Sequence, residues 1–139
     1  MKQKLNCILL IDDDEPTNFI NEMIINKANC TEKVAVTESG KEALDYLTSV
    51  DRGENPYPDL IFLDINMPAM NGWEFLEHYN RLSKAQQGEI VIIMLSTSLN
   101  PDDKIRANQT PHVNDFMPKP LTVNVLNKII EKHFTQANK

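Results

Sequence analysis

The sequence predicts an α/β fold, a doubly wound parallel sheet of five strands with five helices spread over its two faces. Strand-like and helix-like stretches alternate in five successive units. The strongest apolar runs, Ile8 to Ile11, Leu60 to Leu63 and Ile90 to Leu95, are continuous instead of alternating, as in strands covered on both faces. No repeat, linker or low-complexity tract divides the 139 residues, so a single domain over 1–139 with no output domain is expected.

Each element has its own signal. Ile8 to Ile11 forms the first strand and stops at Asp12-Asp13-Asp14. Glu15-Pro16 then has first-turn chemistry, an acid at the positive end of a helix dipole and a proline where no amide partner is lost. Phe19, Ile20, Met23 and Ile24 recur at helical spacing and carry this helix to about Lys27. Val34 to Val36 makes a short strand. Ser39-Gly40-Lys41-Glu42 has capping-box spacing, and Ala43, Leu44 and Leu47 stripe the helix behind it. A loop over 52–58 precedes Leu60 to Leu63, which ends on Asp64 and turns through Pro68 and Asn71-Gly72. Trp73, Phe75, Leu76 and Tyr79 mark one side of a third helix.

A polar connection, Ser83 to Glu89, leads to Ile90 to Leu95, which ends on Ser96-Thr97-Ser98. Asn100-Pro101-Asp102-Asp103 can start a helix, yet only Ile105 and Ala107 follow, so this fourth helix is weakly specified. Val113 to Met117 is the fifth strand, followed by Pro118-Lys119-Pro120. Thr122 caps a last helix with Val125, Leu126, Ile129, Ile130 and Phe134 as its stripe. The first two residues and the tail after Phe134 are expected to be loose.

Composition narrows the function. A formal charge of −6 and a pI near 5.0 argue against binding a phosphate backbone, which needs a lysine- and arginine-rich face. The N-terminal apolar run is short and ends in three aspartates, so it does not read as a signal peptide, and no stretch reaches membrane-span length. Two cysteines make no disulfide scaffold or metal cluster, and Cys7 inside a strand reads as a reduced, buried thiol of a cytoplasmic protein.

In a parallel sheet every strand delivers its carboxyl end to the same rim, where such sheets place their ligands. Here that rim receives Asp12-Asp13, Asp64 and Ser96, with Lys119 just after a fourth strand. Carboxylates about 4 Å apart repel by roughly 4 kcal/mol at an effective dielectric near 20, so such a cluster wants a cation. Hard oxygen ligands suit Mg²⁺, and a carboxylate beside it can act as a nucleophile towards phosphorus. Taken singly, each residue has a plainer reading: charged helix start, strand end, turn hydroxyl or surface lysine.

Taken together, Ile8-Leu9-Leu10-Ile11-Asp12-Asp13-Asp14, Asp64-Ile65-Asn66-Met67-Pro68 with Asn71-Gly72, Leu95-Ser96-Thr97 and Lys119-Pro120 resemble the receiver domain of two-component response regulators over nearly the whole chain. The resemblance implies strand order 2-1-3-4-5. It implies Asp64 as the acceptor of a phosphoryl group from a sensor histidine kinase or a histidine phosphotransfer protein. It also implies Mg²⁺ held by Asp13, Asp64 and the Asn66 carbonyl with help from Asp12. Ser96 becomes the switch hydroxyl, Lys119 the partner of the phosphoryl oxygens, Phe116 a switch aromatic (or plain core), and Pro120 a cis proline. Such a domain catalyses only its own phosphorylation and dephosphorylation.

Ser96 stands where threonine is commoner, Thr97 is bulkier than the usual small residue, and Pro118 removes a backbone donor before Lys119. The loop before the central strand and Ser96-Thr97-Ser98 resemble stand-alone receivers serving phytochrome-type kinases. Three other readings compete. One is a constitutive binding module, which has no need of the full acidic set. Another is a haloacid-dehalogenase-type phosphatase, which wants an acid where Asn66 stands. The last is a flavodoxin-like protein, whose phosphate loop Asp12 to Glu15 would repel.

Overall fold

The computed structural model describes residues 4–51, 53–82, 90–96 and 100–134. Five strands, β1 (Leu5–Ile11), β2 (Thr31–Thr37), β3 (Leu60–Asp64), β4 (Val91–Ser96) and β5 (Val113–Pro118), form one sheet in the order β2-β1-β3-β4-β5. Every pairing is parallel. The helices between and after them are α1 (Glu15–Ala28), α2 (Gly40–Asp51), α3 (Gly72–Asn80), α4 (Pro101–Gln109) and α5 (Val123–His133). The doubly wound fold is as the alternating elements predict, and its strand order is as the resemblance implied.

The pleat divides the core. Cys7, Leu9 and Ile11 of β1 point to one face, where α2 contributes Ala43 and Leu47, α3 contributes Trp73, Phe75, Leu76 and Tyr79, and α4 contributes Ala107. Ile8 and Leu10 point to the other, where Leu5 at the strand's start also packs and which is closed by Ile25 of α1 and by Leu126, Ile129 and Ile130 of α5. Both faces of the central strands are therefore dry, which is why their sequences are continuous apolar runs. Cys7 is a free, fully buried thiol beside the Tyr46 hydroxyl, and burial raises its pKa.

Several details depart from the sequence reading. β1 starts at Leu5, because Asn6 is held by the loop ahead of β3: its amide donates to the Asp59 carboxylate at 2.6 Å, and its side chain donates to the Tyr57 carbonyl. β2 extends to seven residues. At α2, Ser39 Oγ accepts from the Glu42 amide as expected, but the Glu42 carboxylate accepts from Glu38 instead of Ser39. The reciprocal capping box belongs to α3, between Asn71 and Glu74.

The largest difference is in α1. Its apolar spacing forms a helix, capped by Asp14, but does not mark the buried face. Phe19, Ile20 and Met23 are 63%, 50% and 55% exposed, while Asn18, Asn21 and Ile25 turn inwards. The sparsely patterned α4 does form, capped by Asn100, and buries Ala107 while Ile105 stays exposed. The Arg106 guanidinium, 4.5 Å from the Trp73 ring centre, ties it to α3. A bulge between Ile92 and Ile93 shifts the β4–β5 register, and Asn114 Oδ1 accepts the Ile92 amide there. The expectations for Arg52, Ser83 to Glu89, Thr97, Ser98, the first two residues and the tail beyond Phe134 lie outside the described residues.

Candidate functional site

Parallel topology carries the chemistry to one rim. Asp12 directly follows β1, Asp64 is the last residue of β3, Ser96 the last of β4, and Lys119 directly follows β5. Carboxylate oxygens of Asp12, Asp13 and Asp64 all lie within 4.8 Å of one another. Asp12 and Asp64 are buried, whereas Asp13 is exposed. Lys119 Nζ bridges the buried pair, donating to Asp12 Oδ2 at 2.7 Å and to Asp64 Oδ1 at 3.0 Å. One ammonium against three carboxylates leaves an excess of negative charge, and hard oxygen donors in that number suit Mg²⁺.

The titration directions follow from this packing. Burial raises the Asp64 pKa and the Asp12 charge adds to the rise, against the lowering effect of the Lys119 bond and the Asn66 backbone amide. Burial pulls Lys119 down, but its bonds to Asp12 and Asp64 outweigh that and hold it above the ordinary lysine value. Asp14 does not join the cluster. It caps α1, accepting from the Thr17 amide at 3.1 Å and from the Thr17 hydroxyl, and those bonds lower its pKa.

Asp12 is fixed on three sides. Its amide donates to the Thr37 carbonyl at 3.2 Å, its Oδ1 accepts from the Asp14 amide at 2.9 Å, and its carbonyl accepts from Asn18 Nδ2 at 2.7 Å. Sequence reasoning missed Asn18. The signal was there, since Asn18 and Asn21 sit one helical turn apart on α1 and pair with Ile25 as a stripe.

Ser96 is 1% exposed, and its carbonyl accepts the Lys119 amide at 2.8 Å, so the ladder resumes just past Pro118. The Lys119–Pro120 peptide is cis, as the resemblance implied. Asn66 is exposed, two residues beyond Asp64. Phe116 is not part of the acidic cluster. It is half-buried on β5 opposite Met94 and packs against the core on the α2, α3 and α4 side.

The turn after Asp64 is tight: Met70 N donates to the Pro68 carbonyl, Gly72 N to the Ile65 carbonyl, and Ala69 adopts φ +67°. A left-handed alanine is unfavourable by about 1–2 kcal/mol, partly offset by glycine's greater freedom in the unfolded chain. Ala69→Gly is therefore expected to raise stability by about 0.5–1 kcal/mol. Urea unfolding should show a higher midpoint at unchanged slope.

Comparison with known proteins agrees with this architecture. The family described as the response regulator receiver domain matches residues 8–131. A two component response regulator from Cytophaga hutchinsonii superposes with a TM-score of 0.87 at 33% identity, covering 99% of this chain and 100% of that one. The bacteriophytochrome response regulator AtBRR gives 0.76 at 28% identity, over 94% of this chain and 93% of its own. Among curated relatives, the probable methanogenesis regulatory protein FilR2 of Methanothrix harundinacea is 29% identical over 90% of this chain and 79% of its own. A match that runs from β1 into α5, on a sheet of this order, places the chain in the response regulator receiver domain family.

Proposed function

We propose that the protein is the phosphoacceptor of a two-component phosphorelay, receiving a phosphoryl group on Asp64 from the phosphohistidine of a sensor histidine kinase or a histidine phosphotransfer protein. The observation that carries this reading is the buried Asp64 carboxylate, bonded to Lys119 and grouped with Asp12 and Asp13 at the sheet's rim. In the transfer an Asp64 oxygen attacks phosphorus, the phosphorus–nitrogen bond breaks, and the electron pair stays on the imidazole. The product is an acyl phosphate, and attack by water returns the carboxylate and inorganic phosphate. The chemistry is confined to the protein's own side chain.

Asp12, Asp13, Asp64 and the Asn66 carbonyl are the groups that would hold Mg²⁺, which when bound offsets the charge of the incoming phosphoryl oxygens. Lys119 gives up its bond to Asp64 and takes a phosphoryl oxygen, keeping Asp12 as its second partner. The Ser96 hydroxyl turns towards another of those oxygens. Phosphorylation adds about −1.5 to −2 charges and three acceptors. That change biases a pre-existing equilibrium at the ends of β4 and β5, with Phe116 following Ser96, and the signal leaves through protein contacts in the cytoplasm.

Intact-mass spectrometry after incubation with acetyl phosphate tests the reading. Wild type should gain one phosphoryl group in the presence of Mg²⁺ and none with a chelator, and Asp64→Asn should gain none under either condition. An adduct of equal yield on Asp64→Asn would overturn the assignment of Asp64.

A further inference from the structure

A groove of about 610 Å³ runs between α1 and β2, the edge strand of the sheet. It is separate from the hollow on the other flank of α1, where Ile20 and Asn21 meet Lys119 and Pro120. Two apolar side chains stand open in it, Phe19 at 63% and Val36 at 40% exposure. Three carboxylates, Glu15, Glu22 and Glu38, surround them, and none is ion-paired with a described residue. Asn18 also lines the groove, 3% exposed, and its Oδ1 has no hydrogen-bond partner. The amide's orientation is set, because its Nδ2 must face the Asp12 carbonyl to which it donates. A buried oxygen left without a donor is costly, and this one is closed to solvent although its residue lines the groove.

All of these polar groups are acceptors or anions, and the exposed apolar groups include a ring face. A guanidinium answers each feature at once. It is cationic, carries five donors and no acceptor, forks onto carboxylates, and lies flat on aromatic rings. An ammonium would meet the charge but would neither lie flat on the ring nor fork onto a carboxylate. We infer that the α1–β2 groove docks an arginine-bearing, partly apolar segment of a partner protein. Its occupant reaches the phosphoacceptor rim through Asn18, whose Nδ2 holds the carbonyl of Asp12. The inference is independent of whether Asp64 is phosphorylated.

The test is a ¹H–¹⁵N NMR titration of the unphosphorylated full chain with the peptide acetyl-Leu-Arg-Leu-Arg-Leu-amide and with its citrulline analogue, which keeps the shape and loses the charge. Shifts are expected at the Asn18 side-chain amide, Phe19, Glu22, Val36 and Glu38, with the citrulline peptide about tenfold weaker or more. Phe19→Ser and Glu38→Gln, both at exposed positions, should each weaken the arginine peptide several-fold while acetyl phosphate labelling of Asp64 is unchanged. Shifts centred on Ile20, Lys119 and Pro120, equal binding of the two peptides, or indifference to both substitutions would overturn the proposal. So would shifts that depend on protein concentration without peptide, which would assign the groove to a second copy.

Discussion

Lys119→Met is expected to destabilise the protein by about 2–3 kcal/mol at neutral pH, because it leaves two buried carboxylates facing each other with no cation between them. The figure sits at the lower edge of what losing one partner of a buried pair costs, since Asp13 and the rim open to water and relieve part of the repulsion. The pH dependence identifies the mechanism. Asp64 already titrates above the ordinary aspartate value, and removing the Lys119 bond pushes it higher still. A carboxyl raised on folding contributes stability below its unfolded pKa and loses it as pH rises through the folded value. The deficit of the variant should therefore be small in acid, where Asp64 is protonated, and full at neutral pH.

At the alkaline end the sign belongs to Lys119 itself. Its folded pKa lies above the ordinary lysine value, so the stability it confers is complete below that ordinary value and fades as pH rises through the folded one. Wild type should then fall towards the variant, which has no ammonium to lose. Thermal unfolding of both proteins across pH measures this. A deficit independent of pH would mean that methionine merely packs badly and that the bridge between Asp12 and Asp64 contributes nothing.

That bridge could not be read from the sequence, and the reason is general to the chain. The sheet was legible because continuous apolar runs and helical stripes are local, and a parallel sheet then fixes which strand ends share a rim. Asp12, Asp64, Ser96 and Lys119 follow from that logic without any distance being known. What escaped depends on contacts between residues far apart in the chain. Lys119 was expected to meet phosphoryl oxygens, but without them it takes two carboxylates, one 107 positions away. The apolar spacing of α1 marks a helix, as formed, but not the face it buries, because that stripe is polar at the site end, where Asn18 holds Asp12. α4 looked weak because part of its anchorage is a cation on the ring of Trp73, a contact that hydropathy does not record. Asn71-Gly72 was read correctly as a turn signal, yet the demand on the glycine comes from packing.

Gly72→Ala is expected to cost about 3 kcal/mol and, on the proposed function, to slow acetyl phosphate labelling together with lowering stability. Gly72 is the first residue of α3 and is buried against the end of β3. A β-carbon there would lie 2.7 Å from the Asp64 carbonyl oxygen, 3.0 Å from Ile65 Cα and 3.1 Å from Met94 Cε. The methionine tip can swing aside, but the other two atoms are backbone at the end of β3, of Asp64 and of the residue after it. Relief requires α3 to retreat from β3 or Asp64 to move, and α3 is held by Trp73, Phe75, Leu76 and Tyr79 in the core. The strain therefore falls on Asp64 and on its placement relative to Lys119 and Asp12. Gly40 makes the informative control. The three atoms nearest a β-carbon there all belong to the flexible side chain of Met70, its sulfur first, so Gly40→Ala should be accommodated for about 1 kcal/mol or less by a methionine rotamer change. Urea unfolding and the rate of acetyl phosphate labelling, measured on both variants, should show Gly72→Ala losing both and Gly40→Ala keeping its labelling rate. Equal labelling rates in the two variants would mean that the β3 terminus yields without moving the carboxylate, and that the close approach of Gly72 serves packing alone.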